Sequence, residues 1–420
     1  MRNQRKEPAI NAYHVEKTQP IVHEFIEKNV GLHAYIVIDS LRNGQSCGGL
    51  RISDDLTLEE IKTLASSMTL KYCFLRRTMG GAKAGIVLPN NSTKEHRTQV
   101  LEAFGRHAAD LLKNKTYIPW TDLGSSREDI AVIMNSAGCD FHGITDSSYF
   151  TALTVVSAIK AACEMQNKDL SECSVIIEGF GSVGLHTASE LVKWGVSIVG
   201  VSTVKGALYD PNGLDITKLI ELQKNYKDDV VHHYRRDCLG RKEDLLEMDT
   251  DILLPCARTW SINAVNVKNI KAKMIAPGAN APMTKEAEAY LHQQGVLCLP
   301  DFLCNLGGIF GTSLYDNRNS IPTIHRFIMN EFGDLIKEVL RKSVQENLPP
   351  FDIAEAIAKE NCTAIHQRMR SSFSKKNYIT HWPFRTTLVQ QLLSGLQAWV
   401  SLQNQQRMFA ENIRCMQKKS

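Results

Sequence analysis

The 420-residue sequence predicts an α/β fold in two domains. Three observations carry that reading. An apolar run of strand length, Cys173-Ser174-Val175-Ile176-Ile177, leads through Glu178 into the turn Gly179-Phe180-Gly181-Ser182-Val183-Gly184, with a helical pattern (Val183, Ala188, Leu191, Val192) and a second β-branched run at 196–201 behind it. Upstream lies a separate glycine-rich part, with Gly48-Gly49-Leu50-Arg51, Met68-Thr69-Leu70-Lys71 and Gly80-Gly81-Ala82-Lys83-Ala84-Gly85. The length itself suits two or three domains.

Taken in order, residues 33–40 read as an extended run with a Gly-rich return. Thr57-Leu58-Glu59-Glu60 is a capping-box pattern opening a helix. Ile61, Leu64, Ala65, Met68 and Tyr72 recur along it at helical spacing. Lys71 falls at the edge of that stripe, where a lysine either snorkels outward or reaches into a cleft at the helix end. Residues 138–148 read as a linker and 151–164 as a helix entering the second domain. Strand, Gly-x-Gly-x-x-Gly turn, helix and strand then form a dinucleotide-binding βαβ unit of the Rossmann type. Its glycines serve the tight turn, the approach of backbone to pyrophosphate and helix–strand packing, with the helix N-terminus facing the phosphates. From about 315 the pattern is helical, with Ile328, Phe332, Leu335, Ile336, Val339 and Leu340 at three- and four-residue steps. The stretch beyond 371 is Lys/Gln-rich with helical apolar spacing (Leu392, Leu393, Leu396, Trp399, Val400) and no evident role.

Composition narrows the function classes. A net charge of +4 from 49 basic and 45 acidic residues is too small for a nucleic-acid footprint. Eleven cysteines without a Cys-x-x-Cys pair point to reduced thiols in the cytoplasm. The charged start Met-Arg-Asn-Gln-Arg-Lys-Glu has no apolar stretch behind it, so no secretory signal is expected. No run suits a transmembrane helix. His232-His233 and the scattered cysteines lack metal-ligand spacing, so no metal is expected.

Glycines around a lysine let backbone and ligand approach closely, and a lysine held partly dry can trade its proton near neutral pH; the alternative for Lys83 is a solvated surface turn. Together with Tyr117-Ile118-Pro119-Trp120-Thr121-Asp122, Asp251-Ile252-Leu253-Leu254-Pro255-Cys256-Ala257, Gly278-Ala279-Asn280-Ala281-Pro282-Met283-Thr284, Pro300-Asp301 and Asn305-Leu306-Gly307-Gly308, these segments resemble, in order from about 30 to 370, the Glu/Leu/Phe/Val dehydrogenase family. The resemblance implies oxidative deamination of an L-amino acid with NAD or NADP. It implies a substrate and oligomerisation domain over 1–148, a Rossmann domain over 149–314, helices over 315–372 returning to the first domain, and an unassigned helical extension over 373–420. Expected partners are a small amino or 2-oxo acid and further copies of the chain, not nucleic acid or membrane.

By resemblance Lys83 is the catalytic lysine, Asp122 the catalytic carboxylate and Lys71 the anchor for the substrate carboxylate. Asp122 is open to a second reading as a helix cap. Cys47, Gly48, Trp120, Asn305 and Thr312 are the further expected substrate contacts. The cofactor contacts expected are Gly179, Phe180, Gly181, Ser182, Val183 and Gly184, with Thr151, Thr203, Lys205 and Asn280. Asn280 and Asn305 equally suit turns.

Several positions depart from the family. Thr203 stands where a ribose-binding acid is usual, and 200–206 holds no acid at all, so NADP is tolerated at least; alternatively Lys205 is merely solvated. Cys47 replaces the lysine that glutamate-specific members carry before Gly-Gly-x-Arg, which disfavours glutamate and favours a neutral, apolar or aromatic side chain. Trp120 stands two residues before Asp122, where it caps the pocket, stacks on a substrate or obstructs the site. Arg76, Arg77, Thr154, Thr259 and Trp260 are also unusual. Two other readings remain: an enzyme of specialised metabolism acting on an unusual amino or 2-oxo acid, and a non-catalytic dinucleotide-binding paralogue.

Overall fold

The computed structural model describes residues 19–235, 239, 241–372 and 387–417. The charged N-terminal stretch lies outside them. Two sheets organise the chain, as the two-domain expectation requires. The first has strand order β1-β2-β4-β3-β5, from Ile21–Glu27 (β1), Leu32–Ile38 (β2), Ser46–Ser53 (β3), Gly80–Val87 (β4) and Ile118–Thr121 (β5). β2 pairs antiparallel with β1 and β4, whereas β3 runs parallel to β4 and β5. Both faces are covered, and side-chain alternation sorts the residues between them. Ala34, Ile36, Leu50, Ala84 and Ile86 meet Phe104 and Ile130 from the Lys94–His107 and Arg127–Ser136 helices. Tyr35 and Val37 meet Ile61, Leu64 and Ala65 of the Leu58–Phe74 helix. Lys83 lies on this second face, because its neighbours Ala82 and Ala84 point to the first.

Thr57 caps the Leu58–Phe74 helix by accepting from the Glu60 amide at 3.2 Å. The reciprocal half of the expected capping box is not made, because the Glu60 carboxylate is taken by Arg51 at 2.6 Å.

Residues 139–147 form neither helix nor strand and lead into the Ser148–Met165 helix. The second sheet follows, in order β11-β10-β9-β6-β7-β8: Ser174–Glu178 (β6), Ser197–Thr203 (β7), Gly206–Tyr209 (β8), Ile252–Pro255 (β9), Met274–Ile275 (β10) and Leu297–Cys298 (β11). All pairs are parallel except β7–β8. The helix after the glycine turn, Ser182–Lys193, buries Ala188 and Leu191, while Val192 of the expected stripe faces outward.

The C-terminal helices return to the first domain. Pro350–Ser372 packs along Leu58–Phe74, and both join one continuous core with Gly307–Asp316 and Gly333–Glu346. The helix Thr387–Gln417 belongs to the same body: Phe409 is buried among Phe310, Phe327 and Phe332, with ring centroids 5.4–6.1 Å away. Leu392, Leu393, Leu396, Trp399 and Val400 fall in this helix, and their side chains lie outside the described set. Among the described residues no helix is long and apolar enough to cross a membrane.

If the extension is part of the fold, Phe409→Ala costs about 3–5 kcal/mol through the cavity it leaves. The expected result is a lower urea midpoint for the full chain; an unchanged midpoint contradicts this packing.

Candidate active site

The glycines of β3 and β4 make room for charge. A Cβ at Gly49 would come within 2.8 Å of the Asp122 Cβ and 3.3 Å of the Lys83 Nζ, so only glycine lets these two side chains meet there. Lys83 Nζ lies 3.0 Å from Asp122 Oδ2, and both are buried. Asp122 is therefore not a helix cap; Ser126 takes that role and forms a capping box with Asp129. Arg51 reaches the same Asp122 oxygen through Nε at 2.8 Å, and its Nη1 meets Glu60 at 2.6 Å and the Thr259 hydroxyl at 2.7 Å. The sequence named Arg51 only as part of a motif; its partners are 9, 71 and 208 residues away, beyond the reach of local pattern.

This buried quartet sets the proton affinities. Burial alone would raise the Asp122 carboxyl, but the Arg51 and Lys83 cations hold it well below the usual carboxylate range. Burial lowers the Lys83 ammonium, opposed by Asp122 and reinforced by Arg51. Lys71 reaches into the cleft rather than snorkelling: Nζ donates to Asn280 Oδ1 at 2.6 Å. Burial pulls its pKa down to about 8, against Asp301 and with help from Lys83. Asn305 Nδ2 donates to the same Asn280 oxygen at 2.9 Å, and Asn305 Oδ1 is buried without a partner. The two asparagines thus stand in the cleft, not merely in turns.

Cys47 and Thr312, expected in the side-chain pocket, are both buried and bring no positive charge. Burial raises the Cys47 thiol, moderated by a hydrogen bond with Tyr72. The Gly48 carbonyl accepts from the buried Tyr117 hydroxyl at 3.0 Å, and a Cβ at Gly48 would run into Ala82 O. Trp120 pairs with Gly49 in register, is half-buried, and packs against the core that holds Leu50, Ala84 and Phe104. Thr312 is buried, and its hydroxyl donates to Gly308 O at 2.7 Å.

Across the cleft, Gly179 has φ +99°, and a Cβ at Gly184 would sit 2.1 Å from Gly179 O. A Cβ at Gly181 would meet nothing within 4 Å, so the turn is open where a pyrophosphate approaches the N-terminus of Ser182–Lys193. Phe180 is buried and Val183 packs beneath Gly278, so these two contribute backbone. Two of the expected cofactor contacts have their hydroxyl protons engaged within the protein. The Thr203 hydroxyl donates to Asp228 O at 2.5 Å, and the Thr151 hydroxyl donates to Ser147 O at 3.0 Å, so neither is directed outward. Lys205 remains exposed. Glu178, which the sequence left without a role, ends β6 beside the turn; burial raises its carboxyl to about 8, against hydrogen bonds from Ser261 and the Ala257 backbone.

A model described as Glutamate/Leucine/Phenylalanine/Valine dehydrogenase matches residues 143–366, and the Glu/Leu/Phe/Val dehydrogenase dimerisation domain matches 19–163. The chain belongs to the Glu/Leu/Phe/Val dehydrogenase family. It is an amino-acid dehydrogenase, and the glycine cradle, open at Gly181, fits the family's nicotinamide dinucleotide. The NAD-specific glutamate dehydrogenase of Staphylococcus aureus is 34% identical over 285 residues, covering 63% of this chain and 67% of that protein. The NADP-specific glutamate dehydrogenase of Saccharolobus shibatae is 30% identical over 281 residues, 63% of this chain and 66% of that protein. Among solved structures, a hetero-hexameric glutamate dehydrogenase from Thermus thermophilus superposes with a TM-score of 0.68 at 20% identity, over 86% of this chain and 91% of that one. The L-tryptophan dehydrogenase of Nostoc punctiforme does so with 0.56 at 22% identity, over 82% and 96%. These two likenesses show the fold.

Lys71 is charged below about pH 8 and neutral above it. A carboxylate bound there loses its cation as pH rises, so KM for the amino acid should climb above pH 8. The Lys71→Arg variant, charged throughout, should lack that rise; an identical KM profile in both would remove Lys71 from the carboxylate site.

Proposed function

We propose that the protein catalyses reversible oxidative deamination of an L-amino acid with a neutral side chain to the 2-oxo acid and ammonia. The observation that carries this reading is the buried Lys83–Asp122 contact at 3.0 Å, with Lys71 on Asn280 in the same cleft. Lys71 receives the substrate carboxylate in place of Asn280. Asn305 Oδ1, a buried acceptor without a partner, takes a hydrogen bond from the substrate amine or the cofactor amide. When bound, the dinucleotide supplies the acceptor for hydride from Cα. Asp122, held ionised, exchanges a proton with the reacting nitrogen, and Lys83, whose neutral form burial favours, removes a proton from the water that attacks the imine carbon. Arg51 positions Asp122 and keeps it charged.

Lys83→Ala and Asp122→Asn should each lower kcat by about 10²–10⁴-fold, the usual worth of a positioned acid or base. Dinucleotide affinity, read by fluorescence titration, should stay near wild type. Near-wild-type turnover in either variant removes the mechanism.

The neutral side chain is supported by Cys47, whose thiol burial raises and which brings no positive charge to that position. One observation favours a second reading. Arg77 is half-buried, donates to Ser313 Oγ at 3.1 Å, and has no carboxylate within ion-pair distance among the described residues. A guanidinium so placed suits an acidic substrate side chain, and the relatives compared above are glutamate dehydrogenases by name. Comparing kcat/KM for phenylalanine, leucine, alanine and glutamate separates the two. The neutral reading expects glutamate last; glutamate first, with its advantage lost in Arg77→Leu, establishes the second.

NADP should serve at least as well as NAD, since 200–206 carries no acid to repel a 2′-phosphate. Thr203→Asp should shift the kcat/KM ratio toward NAD, and a wild-type enzyme strictly selective for NAD contradicts this. The chain is further proposed to be a cytoplasmic homo-oligomer, supported by the edge strand β1, which exposes Ile21, Val22 and Ile26 within the region matching a dimerisation domain.

A further inference from the structure

Arg42 is a buried cation with no carboxylate beside it among the described residues. It flanks a tight turn in which Asn43 and Gly44 both have positive φ (49° and 73°), and reciprocal backbone hydrogen bonds with Gln45 at 3.0 and 2.8 Å fix its direction. Its side chain is 2% exposed. Among the described residues no acidic group lies within ion-pair distance of it. Its guanidinium donates instead to Cys73 Sγ at 2.9 Å, to Cys362 Sγ in close contact, and to Arg77 O at 3.2 Å. A guanidinium does not give up its proton, and a buried charge needs an opposite one. The sulfurs are the groups in contact with it that can become anions. The neighbouring thiols shift each other: Cys362 and burial push Cys73 up, and Cys73 together with Arg42 pulls Cys362 down, against burial and Asp39. Cys362 is also the more exposed of the two.

We propose that Cys73 and Cys362, with Arg42 as their fixed cation, form an oxidation site for small hydroperoxides, with Cys362 the attacking sulfur and Cys73 the resolving one. The Cys362 thiolate attacks the hydroperoxide oxygen; an S–O bond forms, the O–O bond breaks, and the alcohol or water leaves with a proton. Cys73 then attacks the sulfenic sulfur, forming S–S and releasing water. The pair loses two electrons and the hydroperoxide gains them. The product ties the Leu58–Phe74 helix, which carries Lys71 two residues before Cys73, to the Pro350–Ser372 helix.

The molecule holds its own control. Cys163 and Cys173 lie 3.9 Å apart in the second domain with no arginine between them, and burial raises Cys163 to about 12. The test treats the reduced full-length chain with equimolar hydrogen peroxide, then alkylates and maps peptides without reduction. The Cys73–Cys362 cross-link should form at least about tenfold faster than Cys163–Cys173, as thiolate content directs. Cys73→Ser should leave a sulfenic acid at Cys362 that a 1,3-dicarbonyl reagent traps, and Arg42→Gln should slow the cross-link. A measurement needing no variant is iodoacetamide labelling of the wild type against pH, where Cys362 should react well below the ordinary thiol range of about 8.5. Equal rates for the two pairs, or Cys362 labelling only in that ordinary range, overturns the proposal.

Discussion

The Arg51 guanidinium is surrounded by Asp122, Glu60 and Thr259, and Asp122 is shared in turn with Lys83. Two cations and two anions therefore share one dry volume. Removing any one leaves an uncompensated buried charge, which costs several kcal/mol. The cluster spans β3, β4, the start of the Leu58–Phe74 helix, the segment after β5 and a loop of the second domain. It fixes the candidate catalytic pair and seats one domain against the other at the same point.

Polar pairs also meet across the cleft, Lys71 with Asn280 and Arg258 with Asp55, while behind it Phe74 packs against Phe302 at 6.2 Å in a shared apolar core. The Lys71–Asn280 contact occupies the position proposed for a substrate carboxylate, so entry of substrate exchanges one hydrogen bond for a charge pair. Asn305 stays, held by the Ala279 carbonyl at 3.0 Å and by Asn280.

Behind the cleft, the C-terminal helices steady the helix that carries Lys71. Phe74 O, near that helix's end, accepts from both Asn361 Nδ2 and Asn412 Nδ2, at 3.4 and 3.2 Å. Arg76, held at a positive φ, pairs with Glu411 at 2.7 Å and Asn412 at 3.1 Å. The arginine that looked out of place beside the glycine loop is thus the anchor for the extension, whose role had no local sign.

The sequence by itself determined what depends on neighbours in the chain. The glycine turn between β6 and its helix, the cap at Thr57, the return of apolar residues along 328–340, and the lysines beside paired glycines all follow from spacing and backbone sterics. Tertiary structure decided where each polar group goes when distant partners compete for it. Glu60 left its cap for Arg51, because neutralising a buried guanidinium outweighs closing a capping box. Thr203 and Thr312 turned their hydroxyls to carbonyls within their own domain, because a buried hydroxyl must find an acceptor wherever the packing supplies one. Arg42, unremarked in the sequence, met two sulfurs 31 and 320 residues away. Periodicity records which face of an element is buried; the identity of the group on the other side is set only when the elements meet.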